Sequence, residues 1–365
     1  MVPIPLIGTV LLPNILHCIV QKGHLRSLDV TGDVITTPSL SMLHAIAQST
    51  LRDDVFREDT TMIDFESFIA ELAGHEAGCF ALTGTMANQL ALRTLLTQAP
   101  HALLCASTAH ILNFEAGGPA LLGGTMVQPV VPLNGKFLTL ADIRAHAVLD
   151  DDDVHKCPTR AISLENTAGG SIVPLSEMQL IRQWTEENDI AIHLDGARLW
   201  EAVAAGAGTI AQYCSLADTV TLDFSKNLGA PMGAMVVSSR HIINRMRRIR
   251  KAIGGGVRQG GMLAAAARVA VEQQSDKLIR SHEMAKRVES MWRSRQGRVL
   301  RSTETNICWL DLRAAGISRE DFNNAGKQQG IRLDGERVVL HHQISEEALR
   351  QISLVFDYVL PTAKL

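Results

Sequence analysis

The chain has 365 residues, of which 46% are hydrophobic and 20% are charged, and its formal net charge is −3. Such a chain can bury a large core, and we expect a large and a small lobe rather than independent domains. The slightly negative charge, and the lack of a basic cluster interleaved with aromatic residues, argue against nucleic-acid binding. The six cysteines show no Cys-x-x-Cys spacing and no His/Cys cluster, so we expect no disulfides, no metal site and a cytoplasmic location.

The N-terminus is apolar over residues 4–20, but Pro5 and Pro13 interrupt any helix and no basic segment precedes it. These features argue against both a signal peptide and a membrane span. We therefore interpret residues 1–27 as an N-terminal arm that is available to pack on a partner subunit.

The rest of the chain alternates between two kinds of pattern. Ser39 predicts the start of a helix, and a second amphipathic helix ends near Gly74. Short β-rich runs then alternate with helical patterns up to about residue 237, which predicts a mostly parallel sheet with crossover helices. The C-terminal part predicts a small α+β lobe. We place the large α/β domain at residues 28–260 and the small domain at residues 261–365.

One strand-to-helix turn has the features of an anion site. A small-residue strand at 76–82 leads into TGTMANQ at 83–89, where Thr83 can cap a helix. Free backbone N–H groups and the positive end of the helix dipole meet at such a point. A phosphate group is the natural occupant, although many such turns hold only water.

Two further strands deliver charged residues to their carboxyl ends. The run 189–195 ends in Asp195, and the strand that starts at Thr219 leads to Lys226 in a turn. A lone lysine after a strand is more often a surface residue. Together, however, a lysine and an aspartate at neighbouring strand ends are what pyridoxal 5′-phosphate requires, because the lysine bonds to its aldehyde and the aspartate keeps its ring nitrogen protonated.

Six sequence blocks, in this order along the chain, resemble the threonine aldolases. They are TGTMANQ, AHILNFEAGG, SLENT, HLDGARLW, FSKNLGAPMGA and GGGVRQGG. The resemblance extends from about Leu28 to the C-terminus. It implies the fold type I architecture of aspartate-aminotransferase-like enzymes, pyridoxal phosphate as cofactor, and cleavage of β-hydroxy-α-amino acids to glycine and an aldehyde. It also implies a homodimer or homotetramer with shared active sites.

The resemblance also implies roles for individual residues. Lys226 would hold the cofactor covalently, Asp195 would pair with its ring nitrogen and His110 would stack on the ring. Gly84 and Thr85 would bind the phosphate. The remaining roles fall to residues of other blocks: Arg258 of a neighbouring subunit would assist at the phosphate, Arg198 and Arg337 would bind the substrate carboxylate, and His155 would act as the base on the β-hydroxyl.

Two departures from the family pattern fall on substrate contacts. The family's opening Asp-Leu-Arg-Ser-Asp-Thr is replaced by Asp29–Val34, so that Gly32 stands where a serine would help to bind the substrate carboxylate. The family's Tyr-Gly is replaced by Phe56 and Arg57. Because the cofactor residues are intact, these changes predict an altered substrate, such as one from specialised metabolism.

Two other interpretations remain open. The first is an amino-acid racemase, most plausibly of alanine, which would break the Cα–H bond instead of Cα–Cβ. His155 favours the aldolase, since alanine has no β-hydroxyl. The second is a non-catalytic scaffold, against which the complete set of cofactor residues argues.

Overall fold

The computed structural model describes residues 26–151, 153–274 and 276–360. The chain divides into two compact units. The larger unit is Pro38–Ile279, and the smaller unit joins Met1–Thr37, as far as it is described, to Arg280–Leu365. Most of the expected arm at residues 1–27 lies outside the described residues.

These bounds differ from the domain boundary that we expect from the sequence. The helix Gly261–Gln274 belongs to the larger unit, because its alanines pack into the same hydrophobic core as Met42 and Phe65. Conversely, residues 28–37 belong with the C-terminal part. Asp29 forms a bridge with Arg332, and Val30 is fully buried in the core of the smaller unit.

The larger unit alternates strands and helices along most of its length. Its helices are α1 (Leu40–Gln48), α2 (Thr60–Ala73), α3 (Gly84–Leu95), α4 (His110–Asn113), α5 (Gly118–Gly123), α6 (Leu140–His146), α7 (Leu175–Glu187), α8 (Leu199–Ala204), α9 (Ile210–Cys214), α10 (Arg240–Ala252) and α11 (Gly261–Gln274). Its strands are β1 (Ala77–Ala81), β2 (Ala102–Ala106), β3 (Met126–Val130), β4 (Thr159–Glu165), β5 (Ala191–Gly196), β6 (Thr219–Asp223) and β7 (Ala234–Ser238).

These strands form one seven-stranded sheet in the order β1-β7-β6-β5-β4-β2-β3. Neighbouring strands are parallel except for β7, which runs antiparallel to both β1 and β6. The expectation of a mostly parallel sheet with crossover helices is therefore confirmed. Because β4, β5 and β6 point the same way, their carboxyl ends meet at one edge of the sheet.

Local chemistry fixes the helix ends as the sequence predicts. The hydroxyl of Ser39 accepts the Met42 N–H at the start of α1, and that of Thr83 accepts the Met86 N–H at the start of α3. Gly74 ends α2 with a φ of 68°, a left-handed conformation that favours glycine.

The smaller unit has its own core. It contains β8 (Val299–Arg301), β9 (Ile307–Leu310) and β10 (Arg337–Val339) in a sheet of order β10-β9-β8, with α13 (Arg319–Gln328) and α14 (Glu346–Val359). Helix α12 (Lys277–Arg293) leads into it along the chain and supplies Trp292. The Trp292 ring lies 4.8 Å from the Phe356 ring, and both side chains are fully buried. No helix among the described residues has the length and apolar character needed to cross a membrane.

A buried carboxylate in the larger unit binds two arginines. Glu66 of α2 lies 2.5 Å from Arg57 and 2.6 Å from Arg247, and it also accepts the Phe80 N–H at 2.9 Å. Burial alone would raise the pKa of Glu66, but the hydrogen bonds and positive charge of Arg247 and the charge of Arg57 lower it overall. Arg57, one of the two departures from the family pattern, therefore serves this ion network.

We expect Glu66→Gln to lower the free energy of unfolding at pH 7 by about 3 kcal/mol, because it leaves a partly buried arginine pair without its counter-charge. Since the folded pKa of Glu66 is lowered, the difference from the wild type should shrink as the pH falls through that pKa. Urea unfolding between pH 7 and pH 3 measures both effects. Glu71→Gln, on the exposed face of the same helix, is the control and should change stability by less than about 0.5 kcal/mol.

Candidate active site

Lys226 and Asp195 lie at the carboxyl ends of adjacent strands, as the sequence predicts. Asp195 is the penultimate residue of β5, and Lys226 follows the end of β6 by three residues. The two strands pair in parallel, with Asp195 opposite Thr221. The Lys226 side chain is 18% exposed, and its Nζ lies 3.6 Å from Oδ2 of Asp223. The Lys226 amine is thus held at the carboxyl edge of the sheet.

Asp195 is a buried carboxylate that accepts hydrogen bonds at both oxygens. It is 4% exposed, and its Oδ1 accepts the Ala197 N–H at 3.0 Å. Its Oδ2 accepts a hydrogen bond from the Asn88 amide at 2.8 Å. Each carboxylate oxygen can accept a second bond, so the ring N–H of a pyridinium can be added.

His110 opens helix α4 close to these groups. Its Nδ1 lies 2.7 Å from Oε1 of Glu115, and its backbone N–H donates to Glu165 at 2.5 Å. The hydrogen bond that His110 donates to Glu115 is the main reason that the pKa of His110 is raised, and the charge of Asp195 adds to it. The imidazole is 45% exposed, and the Phe114 ring lies 5.6 Å from it.

A buried network connects His110 to Asp195. The Asn88 amide donates to both Asp195 and Glu115, and Glu115 also accepts from Gln89 at 2.5 Å. The Asn88 carbonyl can only accept, so Nε2 of His193, 3.1 Å away, is the donor. Burial lowers the pKa of His193, which favours the neutral ring. Ligand atoms of His110, Glu115 and Asp195 lie within 4.8 Å of one another, but they already bond to each other or to Asn88.

The start of α3 forms the anion end of the site. The Thr83 hydroxyl accepts the Met86 N–H, and the Thr83 carbonyl accepts the Ala87 N–H. The amides of Gly84 and Thr85, in the first turn, have no acceptor within the helix. A Cβ at position 84 would lie 3.0 Å from Oδ2 of Asp223, so only glycine leaves this approach open.

Glu165, at the end of β4, is a further buried carboxyl group. It lies opposite Asp195 in the sheet. Burial, followed by the negative charge of Asp195, raises the pKa of Glu165 to about 7. Its proton therefore comes off in the physiological range, next to the group that the ring nitrogen needs as a charged partner.

These residues fit pyridoxal phosphate. A lysine amine, a buried carboxylate, an accessible imidazole and a glycine at a helix N-terminus lie along one strand edge. Lys226 would bond to the aldehyde, Asp195 to the ring nitrogen, and Gly84 and Thr85 to the phosphate. When bound, the cofactor supplies an electron sink for charge that develops at the substrate Cα.

One predicted residue, His155, is not brought to this edge within the chain. His155 is in a loop before β4, at the amino ends of the parallel strands, and its side chain is 89% exposed and bonded to Asp153. The length of β4, about 20 Å, separates that edge from the carboxyl ends. Arg258 lies between α10 and α11, is 73% exposed and lies 3.7 Å from Asp53.

The other predicted substrate residues divide between the units. Arg198, half-buried, begins α8 three residues after Asp195. Gly32 and Arg337 belong to the smaller unit, where the Arg337 guanidinium donates to the carbonyl of Thr31, next to Gly32. Nothing within 3.4 Å would oppose a Cβ at position 32, so the missing serine is not excluded by space.

Sequence reasoning missed the residues that support this site. They are Asn88, Glu115, Glu165, His193 and Asp223. Asn88, Glu115, Glu165 and His193 lie inside the six blocks, and Asp223 directly precedes one of them. The signal available was that such polar groups occur where the neighbouring residues are apolar and buried. A buried polar side chain needs partners, and that requirement points to a network.

We expect Glu115→Gln to lower the pKa of His110, because the carboxylate that favours the imidazolium is removed while the hydrogen-bond geometry is nearly preserved. An NMR titration of the His110 ring, assigned with a His110→Phe variant, measures this shift. Glu177→Gln, a carboxylate on α7 that caps the Leu140 N–H, is the control and should leave the titration unchanged. An unaltered His110 titration in Glu115→Gln would contradict the assignment of the pair.

Comparison with known proteins identifies the family of this chain. The chain matches the model of the Beta-eliminating lyase family over residues 29–315. It is 51% identical to the alanine racemase TOXG of Cochliobolus carbonum, over 93% of this chain and 89% of that protein. It is 43% identical to the low-specificity L-threonine aldolase of Eremothecium gossypii, over 89% and 86%.

The fold has close counterparts among solved structures. A structure described as a putative L-allo-threonine aldolase from Listeria monocytogenes superposes with a TM-score of 0.74 at 20% identity, covering 93% of this chain and 97% of the other. The expectations of a fold type I architecture, of a lyase and of pyridoxal phosphate as cofactor are confirmed. The chain belongs to the Beta-eliminating lyase family, together with the threonine aldolases.

Proposed function

We propose that this pyridoxal-phosphate enzyme cleaves, or forms, the Cα–Cβ bond of a β-hydroxy-α-amino acid, with glycine and an aldehyde as the other side of the equilibrium. The observation that carries the proposal is the placement of Lys226, Asp195 and His110 around one strand edge. The relationship to a threonine aldolase at 43% identity supports it.

We propose an altered substrate rather than L-threonine itself. Arg198 and Arg337 bind the substrate carboxylate in this proposal, and Gly32 withdraws one hydroxyl from it. A charge-assisted hydrogen bond of this kind contributes about 1.5 to 3 kcal/mol. Without that bond, threonine loses part of its binding free energy. The difference in binding free energy between threonine and a bulkier or α-substituted amino acid is therefore smaller.

We also propose that active sites are shared between copies of the chain in a homodimer or homotetramer. His155 and Arg258 support this, because both are exposed and His155 lies at the opposite edge of the sheet from Lys226 in its own chain. Each chain supplies two residues to the site of a neighbouring copy: His155 acts there as the base on the β-hydroxyl, and Arg258 binds the phosphate. We take the two units of the structure as the domains of the protein. We place the protein in the cytoplasm, where thiols such as those of buried Cys79 and Cys308 stay reduced.

An alanine racemase is the second candidate, and the 51% identity to TOXG favours it. Both activities use the same cofactor residues. They differ in the bond at Cα that stands perpendicular to the cofactor ring, and in the need for a base at the β-hydroxyl.

Incubation with L-threonine, L-allo-threonine and L-alanine in heavy water distinguishes the two candidates. We expect aldehyde and deuterated glycine from a β-hydroxy substrate. Deuterated D-alanine without aldehyde would instead establish the racemase. Lys226→Ala is the control, because it should abolish both the visible absorbance of the bound cofactor and all turnover.

Hybrid oligomers test the shared site. His155→Ala alone should reduce cleavage by about 10²- to 10⁴-fold. Lys226→Ala and His155→Ala chains are co-expressed with different tags. Half of the randomly formed pairs are then mixed, and one of the two sites in each mixed pair has both an intact Lys226 and an intact His155. The mixture should therefore recover up to about a quarter of the wild-type rate. No recovery would mean that His155 serves its own chain, and a fully active His155→Ala enzyme would remove its role.

A further inference from the structure

Asp223 is a buried acid that the proposed chemistry does not use. It ends β6 and is 5% exposed. Its Oδ1 accepts both the backbone N–H of Ser225, at 2.7 Å, and the Ser225 hydroxyl, at 2.8 Å. These bonds shape the turn that leads to Lys226, and they leave Oδ2 directed elsewhere.

The second oxygen, Oδ2, faces the anion end of the site. It lies 3.6 Å from the Lys226 amine and 3.0 Å from the position that a Cβ of Gly84 would take. Gly84 is the first residue of α3, where free amides and the helix dipole attract negative charge. Asp223 therefore has its carboxylate where the phosphate of the cofactor is expected.

Two negative groups would lie close together at this point. A phosphate bound by Gly84 and Thr85 approaches a carboxylate that is shielded from solvent, and like charges at such a distance repel strongly when they are buried. The Lys226 amine, 3.6 Å from Oδ2 and 18% exposed, offsets only part of this repulsion.

We infer that Asp223 is a negative determinant of cofactor affinity: it pairs with Lys226 in the cofactor-free protein and opposes the cofactor phosphate. This inference rests on the cofactor, and it holds whether the enzyme is an aldolase or a racemase. A merely structural Asp223 predicts the opposite sign, since loss of the turn would weaken binding.

Affinity of the cofactor-free protein for pyridoxamine 5′-phosphate, which has the phosphate but no aldehyde, tests the inference without turnover. Asp223→Asn preserves an acceptor for Ser225 and removes the charge. We expect it to bind pyridoxamine 5′-phosphate about tenfold more tightly than the wild type. Binding of pyridoxamine, which lacks the phosphate, should change by less than about twofold.

Asp218→Asn is the matched control, because Asp218 precedes the same strand at its other end and pairs with Arg182. It should leave both affinities unchanged. Equal or weaker binding of pyridoxamine 5′-phosphate by Asp223→Asn would overturn the inference, as would an equal gain for both ligands. If Asp223→Asn does not fold, Asp223→Ser, whose hydroxyl can replace the turn acceptor, takes its place with the same expectations.

Discussion

The buried amide of Asn88 is the contact on which the site depends. It donates to Asp195 and to Glu115, and thereby holds two buried carboxylates near each other. Without a shared donor these groups would repel in a low-dielectric interior. The His193 ring fixes the orientation of the amide from the other side, so the amide nitrogen of Asn88 is directed at Asp195.

The balance of charge around this amide explains how the site suits its cofactor. Glu115 raises the pKa of His110, whereas burial raises the pKa of Glu165 to about 7. One carboxyl group beside Asp195 can thus carry a proton near neutral pH, which limits the number of negative charges. A protonated pyridine ring held by Asp195 would add a positive charge to this cluster.

Different parts of the chain provide the residues for the cofactor and the residues that differ from the family pattern. The residues that fit the cofactor all lie at one edge of the seven-stranded sheet, in the larger unit. Departures from the family pattern occur elsewhere: Gly32 belongs to the smaller unit, and Arg57 serves a buried ion network with Glu66. Change at these positions can therefore alter the substrate or stability while the cofactor chemistry stays the same.

The sequence by itself determined the elements and the cofactor. Strand and helix patterns, the caps at Ser39 and Thr83, and the pair of Lys226 and Asp195 follow from local rules, because periodicity and capping act over a few residues. Only the tertiary structure decided which distant groups meet. Four features depend on long-range packing, which no short stretch of sequence encodes. They are the contacts of Asn88 with Asp195 and Glu115, the approach of Asp223 to Gly84, the place of His155 at the far edge of the sheet, and the packing of α11 in the larger unit.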